Sequence, residues 1–465
     1  MRGSWGYPNA LGACSASTGG RFAKVVLLAP DGWHESSLAG ALIGTVFHMS
    51  AKQLDTGVIQ SALANEDYET VISEVKSAMT SDSVAAMADP VIRGWMGRRY
   101  RNIFITEAAA NPEALEHSKR HFPLDMIDTR DDRQRVAERM FHHIDDDEIH
   151  AELPLARGDS FANTTLLFVP GLITGYLPSL AFQSVFPQMR ARFGVNILAS
   201  DSHPVRSSEA NVADLAAAME QGIGTDADPA GTPITAADNP TPPGDVVLMG
   251  YSKGAPDILT FLVERPDLAA RVKGFVSWAG ANRGSYLANG MFEKIKKIPD
   301  VELANNLIQH VGEIARSMLP FETVERIDRR LDEYDLKGAV RSLTTDYREA
   351  FIDKNAEYLD SLGIPTFYFT GSTKVQEVAY YNMSGVLELN KYDKLNDMQL
   401  TQKEATPPMS QAHHLAMFHA NHWDMSYDAF PWYKTMGSLH LRDPFTRYSA
   451  VAAILLMMSE IGVMD

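Results

Sequence analysis

A short apolar run that ends in a Gly-x-Ser-x-Gly turn constrains this chain more than any other feature. Residues 246–249 have the length and composition of a buried parallel strand, and a helical pattern of apolar residues begins at Ile258. In that order of strand, turn and helix, the serine of the turn is lifted out of the sheet. Gly250 and Gly254 flank it because the backbone is strained there and neighbouring chain approaches closely. The pattern predicts Ser252 as a nucleophile.

Strands and helices alternate along the second half of the chain. Strands are predicted at residues 166–169, 195–199, 246–249, 272–279 and 364–369. Helices are predicted between them, and a largely apolar helix is predicted at 448–461. This alternation implies a mostly parallel sheet flanked by helices, which is an α/β fold. Residues 221–243 are rich in Gly, Pro, Thr and Asp and are predicted to form a mobile surface loop.

The same patterns divide the 465 residues into a core and additions to it. The core is predicted at 161–285 and 361–465, and residues 286–360 are predicted to be a helical cap or lid inserted into it. Residues 21–160 are predicted to be a mainly helical N-terminal region, preceded by a flexible N-terminus at 1–20. Within the N-terminal region the sequence predicts short strands at 25–29 and 103–105, and a solvated acidic surface at 145–148.

Four apolar residues of the cap are candidates to line a pocket for an acyl group. They are Met291, Phe292, Met318 and Phe321. Packing of the cap onto the core accounts for each of them equally well.

The charge and composition of the chain argue against several classes of partner. The chain has 42 basic and 59 acidic residues and a formal charge of -17, which disfavours nucleic acid and anionic membranes. Its one cysteine, Cys14, excludes an intrachain disulfide and a cysteine metal cluster. No stretch has the roughly eighteen apolar residues of a membrane span, so no integral membrane segment is expected. Both a cytoplasmic protein and a secreted one with its signal peptide removed fit this composition, and the oligomeric state is left open.

A serine nucleophile needs a base and an acid that orients the base. A neutral imidazole is the usual base, and a carboxylate fixes it and stabilises its charged form. In a fold of this kind the chain order is serine, then acid, then histidine. We therefore predict Asp397 as the acid and His422 as the base. Asp393 is the alternative acid, the alternative histidines are His413, His414 and His419, and the spacing of these groups does not indicate a metal site.

Four segments resemble the serine esterases and lipases of the α/β-hydrolase superfamily. The Gly-x-Ser-x-Gly turn is similar to the nucleophile turn of that family, and Val169-Pro170-Gly171-Leu172 resembles its oxyanion loop. Residues 280–285 resemble the lipase stretch Pro-His-Arg-Gly-Ser. Asn396-Asp397 and Asn421-His422-Trp423 stand where the family places its acid and its histidine. The resemblance covers residues 164–465 and implies an α/β-hydrolase fold.

The resemblance also implies roles for further residues. The backbone N–H groups of Leu172 and Lys253 would form the oxyanion hole, and Tyr176 and Tyr251 would contact substrate. Two positions depart from the family pattern, because Pro170 replaces a histidine and Met398 replaces the glycine that normally follows the acid.

The activity that the resemblance implies is hydrolysis of carboxylic esters without a cofactor or a metal. The substrate would be a small or lipid-like ester with an apolar acyl group, ranging from short-chain esters to lipids and aliphatic polyesters. Acyl transfer or thioester hydrolysis by the same residues is the alternative activity, and a non-catalytic binding protein that keeps the fold is the alternative class.

Overall fold

An eight-stranded sheet organises the part of the chain that the computed structural model describes. This part comprises residues 56–119, 128–156, 161, 163–172, 174, 179–300, 302–303, 330–379, 382–428 and 445–464. The strands are β1 (Thr164–Val169), β2 (Asn196–Ala199), β3 (Gly224–Asp226), β4 (Pro233–Ile234), β5 (Asp245–Tyr251), β6 (Val272–Trp278), β7 (Thr366–Gly371) and β8 (His413–Phe418).

The sheet has the order β4-β3-β2-β1-β5-β6-β7-β8. The six neighbouring strands β2-β1-β5-β6-β7-β8 are parallel to one another. β3 pairs with β2, and β4 with β3, in antiparallel orientation at one edge of the sheet. β5 lies between β1 and β6, so both of its edges are hydrogen-bonded and its residues from Val246 onward are buried. The predicted mostly parallel α/β sheet is confirmed. The end of β5, where the nucleophile is predicted, is therefore held from both sides.

Helices cover both faces of this sheet. The N-terminal helices are α1 (Gly57–Ala64), α2 (Tyr68–Ser81), α3 (Ser83–Ala88), α4 (Pro90–Ala109), α5 (Pro112–Ser118), α6 (Asp132–Met140) and α7 (Asp146–Ile149). The helices between the strands of the first half of the sheet are α8 (Val185–Phe193), α9 (Ser208–Gln221), α10 (Gly254–Glu264) and α11 (Pro266–Ala269). The later helices are α12 (Tyr286–Ile295), α13 (Leu336–Arg341), α14 (Thr345–Ser361), α15 (Met383–Leu389), α16 (Gln402–Ala405) and α17 (Arg447–Glu460).

Alternate side chains of β1 show how the two faces are filled. Leu166 and Phe168 belong to an apolar cluster that includes α4, α8 and α17, whereas Leu167 and Val169 pack with α9 and α10. α17 is buried all round, as its apolar sequence predicts, because it packs against both α4 and α8. The N-terminal helical region thus covers one face of the sheet.

The termini of several helices follow the usual capping chemistry. α4 begins at Pro90, and the side chain of Asp89 accepts hydrogen bonds from the first free N–H groups of the helix. α6 begins with a capping box between Asp131 and Gln134. Local sequence therefore determines where these helices start.

The structure differs from the sequence prediction at three places. Residues 103–105 lie within α4 and not in a strand, because their apolar side chains continue a long buried helix. Residues 221–243 contain β3, which pairs with β2, and β4, which pairs with β3 at the edge of the sheet. In the acidic segment 145–148, Glu148 is buried and bonded to Arg101, with an Arg101 Nε–Glu148 Oε2 distance of 2.6 Å. The predicted strand at 25–29 and the N-terminus at 1–20 lie outside the described residues.

The segment assigned to the cap divides between two environments. α12 packs against α13, whereas α14 packs against α10 on the face of the sheet. α14 therefore occupies the position of a helix that connects β6 to β7. All the elements named above belong to one compact unit. No helix within the described ranges is both long and apolar enough to cross a membrane.

Candidate active site

Ser252 occupies the sharp turn between β5 and α10. Its φ angle is 53°, in the left-handed region that a residue with a side chain rarely adopts. Its backbone N–H donates to the carbonyl of Trp278, and its own carbonyl accepts from the N–H of Ala281 at 3.0 Å. These bonds to the end of β6 and the chain just beyond it hold the strained backbone in place, as is typical of functional residues.

Glycines surround this serine because other backbone comes very close. A Cβ atom on Gly254 would lie 2.1 Å from the carbonyl oxygen of Val169, and one on Gly250 would lie 2.7 Å from the nitrogen of Ala255. A Cβ atom on Gly171 would lie 2.9 Å from the Cβ of Ser252. The loop after β1 therefore touches the serine directly. The two glycines of the turn serve the purpose that the sequence predicts for them.

Asp397 and His422 are hydrogen-bonded to each other in a fully enclosed position. The distance between His422 Nδ1 and Asp397 Oδ2 is 2.7 Å, and the two side chains are 1% and 2% exposed, respectively. The carboxylate accepts, so Nδ1 carries the proton of a neutral ring and Nε2 is left as the basic nitrogen. Nε2 is buried and has no hydrogen-bond partner among the described residues. This arrangement suits a base that takes a proton at Nε2.

Backbone contacts fix the geometry of this pair. Asp397 Oδ1 accepts from the backbone N–H groups of Gln399 at 2.9 Å and Leu400 at 2.7 Å. The N–H of His422 donates to the carbonyl of Asp397 at 2.8 Å. Met398 has a φ angle of 76°, a backbone conformation that favours glycine.

The alternative acid and bases lie elsewhere. Asp393 Oδ1 accepts from the N–H of Leu395 and caps its own turn. His413 and His414 begin β8, at the opposite end of that strand from His422. His419 Nε2 lies 3.0 Å from Glu377 Oε2.

Tyr251 has a different place from the predicted substrate contact. Its side chain is buried, and its hydroxyl donates to the carbonyl of His422 at 3.0 Å. Its ring lies 5.1 Å from the imidazole of His422 between ring centroids. Tyr251 therefore supports His422 from within the core. These contacts place His422 against the residue before Ser252, the predicted nucleophile.

The residues predicted to line an acyl pocket, and the predicted substrate contact Tyr176, are only partly covered by the described residues. Tyr176, Met318 and Phe321 lie outside the described residues. Met291 is exposed on α12, and Phe292 is partly buried against the apolar cluster between α12 and α13. No group of three His, Cys, Asp or Glu side chains within the described ranges is arranged to hold a metal ion.

Solved structures of other proteins share this architecture. A metagenomic carboxyl esterase, MGS0156, is 21% identical, with a TM-score of 0.54, and the match covers 78% of this chain and 91% of that protein. This chain therefore has the α/β-hydrolase fold. The mature lipase BlEst2 of Bacillus licheniformis is 18% identical, with a TM-score of 0.36 over 58% of this chain and 89% of the lipase. Lipase 1 of Pelosinus fermentans is 12% identical, with a TM-score of 0.36 over 63% of this chain and 98% of the lipase. No family model and no curated protein matches the chain.

Within this α/β-hydrolase fold, the two predicted oxyanion donors flank the serine. Lys253 follows Ser252 at the start of α10, and Leu172 follows Gly171, which touches the serine. Leu172 is partly buried against apolar residues of α12 and α13 and against Val205. A helix N-terminus supplies N–H groups that have no partner within the helix, and these attract negative charge.

Sequence reasoning missed two buried polar contacts beside the serine. The Lys253 side chain is turned inward and pairs with Asp257, and both are 1% exposed. Their i,i+4 spacing was a visible signal, but the same spacing is common on exposed helix surfaces. The second missed contact is the hydroxyl of Tyr251 on the His422 carbonyl, which joins residues 171 positions apart and leaves no local pattern.

Proposed function

We propose that this protein is a cofactor-independent serine hydrolase of carboxylic esters. One observation carries the proposal: Asp397 and His422 share a buried hydrogen bond of 2.7 Å, and the carbonyl of His422 accepts a hydrogen bond from Tyr251, the neighbour of a serine held in a left-handed turn. The likeness in fold to a carboxyl esterase supports the same activity. Fold alone does not determine chemistry, so the proposal depends on the geometry of the site.

In the first half of the reaction, Ser252 Oγ attacks the carbonyl carbon of the ester. His422 Nε2 accepts the hydroxyl proton, and Asp397 holds Nδ1–H and stabilises the imidazolium. The tetrahedral intermediate collapses when Nε2 returns the proton to the leaving alcohol, which leaves an acyl group on Ser252. Water then attacks the acyl-enzyme by the same proton route and releases the acid.

The negative charge on the carbonyl oxygen needs donors that are in place before the reaction. The backbone N–H groups of Leu172 and Lys253 are proposed for this role, because both adjoin the serine. Removal of one such donor typically lowers turnover by about a hundredfold or more.

The proposal is tested by labelling with a fluorophosphonate, followed by peptide mapping, beside hydrolysis of p-nitrophenyl esters of increasing chain length. We expect a single adduct on Ser252, and loss of both adduct and hydrolysis in Ser252→Ala. His422→Gln should lose activity, whereas the matched control His419→Gln should keep it, because His419 bonds to Glu377 and not to Asp397.

Two results would contradict this proposal. A folded wild-type protein that neither forms an adduct nor hydrolyses any ester would favour a binding protein of the same fold. Transfer of the acyl group to an added alcohol in preference to water would instead assign the protein to the acyltransferases.

A further inference from the structure

The side chain of the residue after the nucleophile is buried in an ion pair. Lys253 Nζ lies 2.8 Å from both carboxylate oxygens of Asp257, and each side chain is 1% exposed. The pair spans the first turn of α10, which begins directly after Ser252. The ammonium group of Lys253 is thus buried beneath the turn that carries Ser252.

A third residue ties this ion pair to the neighbouring strand. Asn211 Nδ2 donates to Asp257 Oδ2 at 2.8 Å and to the carbonyl of His203 at 3.1 Å, and Asn211 Oδ1 accepts from the N–H of His203. His203 lies in the loop after β2. A continuous chain of buried hydrogen bonds therefore runs from the Lys253 side chain to the loop after β2.

A second buried cation lies close to Asp257. Burial lowers the pKa of Arg348 to about 10, and the negative charge of Asp257 acts in the opposite direction on it. Arg348 Nε donates to the carbonyl of Asn282, just after Ala281, whose N–H bonds to Ser252. Removal of Lys253 alone would therefore not leave Asp257 without a neighbouring positive charge.

Stability is a weak reason for such a pair. Taking both charges out of water costs several kcal/mol, and apolar replacements of buried pairs are often neutral or stabilising. A strained residue such as Ser252, by contrast, keeps its conformation only where its surroundings determine it fully. Hydrogen bonds to Trp278 and Ala281 hold the peptide groups of Ser252. The ion pair of the Lys253 side chain holds Lys253, the next residue along the chain.

We propose that Lys253, Asp257 and Asn211 form a positioning unit that fixes the Lys253 backbone so that its N–H points at the oxyanion. This inference rests on the proposed function, because it concerns the donor of the same site. Lys253 then acts twice, through its backbone on the substrate and through its side chain on its own backbone. A small displacement of a donor is enough to lower turnover by one to two orders of magnitude.

The test is the double variant Lys253→Met/Asp257→Asn. It removes both charges, and the new amide oxygen at position 257 can still accept the hydrogen bond from Asn211. We expect kcat to fall about 10- to 100-fold with KM within about twofold of wild type. The affinity of a boronic acid, whose serine adduct places an oxygen in the oxyanion hole, should fall by the same factor as kcat. The melting temperature is measured beside these constants, because Arg348 loses the neighbouring negative charge of Asp257 in this variant.

The matched control is a buried ion pair away from the site. Arg99 on α4 bonds to Glu460 on α17, and the two side chains are 1% and 10% exposed, respectively. Arg99→Met/Glu460→Gln removes equivalent charges, and kcat and boronic acid affinity should remain those of wild type.

Wild-type kcat and boronic acid affinity in a folded double variant would overturn the inference. If the double variant does not fold, Asn211→Ala leaves the ion pair intact and releases Asp257 from the loop after β2. It should lower kcat about threefold to tenfold at unchanged KM, and an unchanged kcat would again refute the inference. Failure of the proposed function is distinguishable, because the wild-type protein itself would then hydrolyse no ester.

Discussion

Met398 gives a direct test of how the acid loop is built. The residue follows Asp397, has a φ angle of 76°, and buries its side chain against Val378 and Val386. Its carbonyl also packs closely on Gly385, where a Cβ atom would approach it to 2.5 Å. Two opposing effects therefore meet at one position, namely backbone strain and side-chain packing.

Replacement of Met398 by alanine and by glycine separates these effects. Both variants lose the buried side chain, which costs about 2–5 kcal/mol of unfolding free energy. A left-handed conformation costs alanine about 1–2 kcal/mol relative to glycine, and the greater freedom of unfolded glycine offsets about 0.5–1 kcal/mol of this. We expect Met398→Gly to be more stable than Met398→Ala by about 0.5–1 kcal/mol.

The measurement is equilibrium unfolding in urea of both variants, with Met219 as the control position. Met219 is equally buried but lies in α9, where alanine should be the more stable of the two by about 1 kcal/mol. The reasoning is refuted if alanine is more stable than glycine at position 398 by about 0.5–1 kcal/mol, since the left-handed backbone would then carry no cost.

Three further predictions concern the site and its support. Asp397→Asn should lower kcat by about 10⁴-fold in steady-state assays with a folded protein, because an amide no longer fixes the protonation of His422 Nδ1; a loss below tenfold would argue for another acid. Gly254→Ala should abolish soluble expression or activity, because its Cβ would lie 2.1 Å from the Val169 carbonyl oxygen, and a fully active variant would contradict that geometry. Burial lowers the pKa of His413 to about 3. In the unfolded protein this histidine binds a proton at a higher pH, about 6.5, so the free energy of unfolding should fall as the pH drops from about 6.5 towards 3. Urea titrations at pH 7 and 5 should show His413→Phe losing about 2 kcal/mol less than wild type over that interval, and parallel losses would exclude this histidine as the cause.

Local patterns predicted much of the fold. Most of the central strands, the turn at Ser252 and the apolar helix α17 follow from short-range sequence, because turn geometry and apolar periodicity are local properties. β8, which precedes His422, was not predicted. The strand predicted at residues 103–105 was wrong because a short apolar run fits a buried helix equally well, and only the length of α4 decides between them. β3 and β4 were missed because short edge strands are stabilised by the strand they pair with, β2 for β3 and β3 for β4, and not by their own sequence.

The sequence by itself determined which chemistry-bearing residues stand at strand ends, and in which order. It left open which acid meets which histidine, and the tertiary structure decided this by bringing Asp397 and His422 together across 25 positions. The tertiary structure also decided that the side chains of Tyr251 and Lys253 point into the core and not toward solvent. The physical reason is the same in each case. A turn or a helix start depends on neighbouring residues, whereas burial and pairing depend on chain that is distant in sequence and adjacent only after folding.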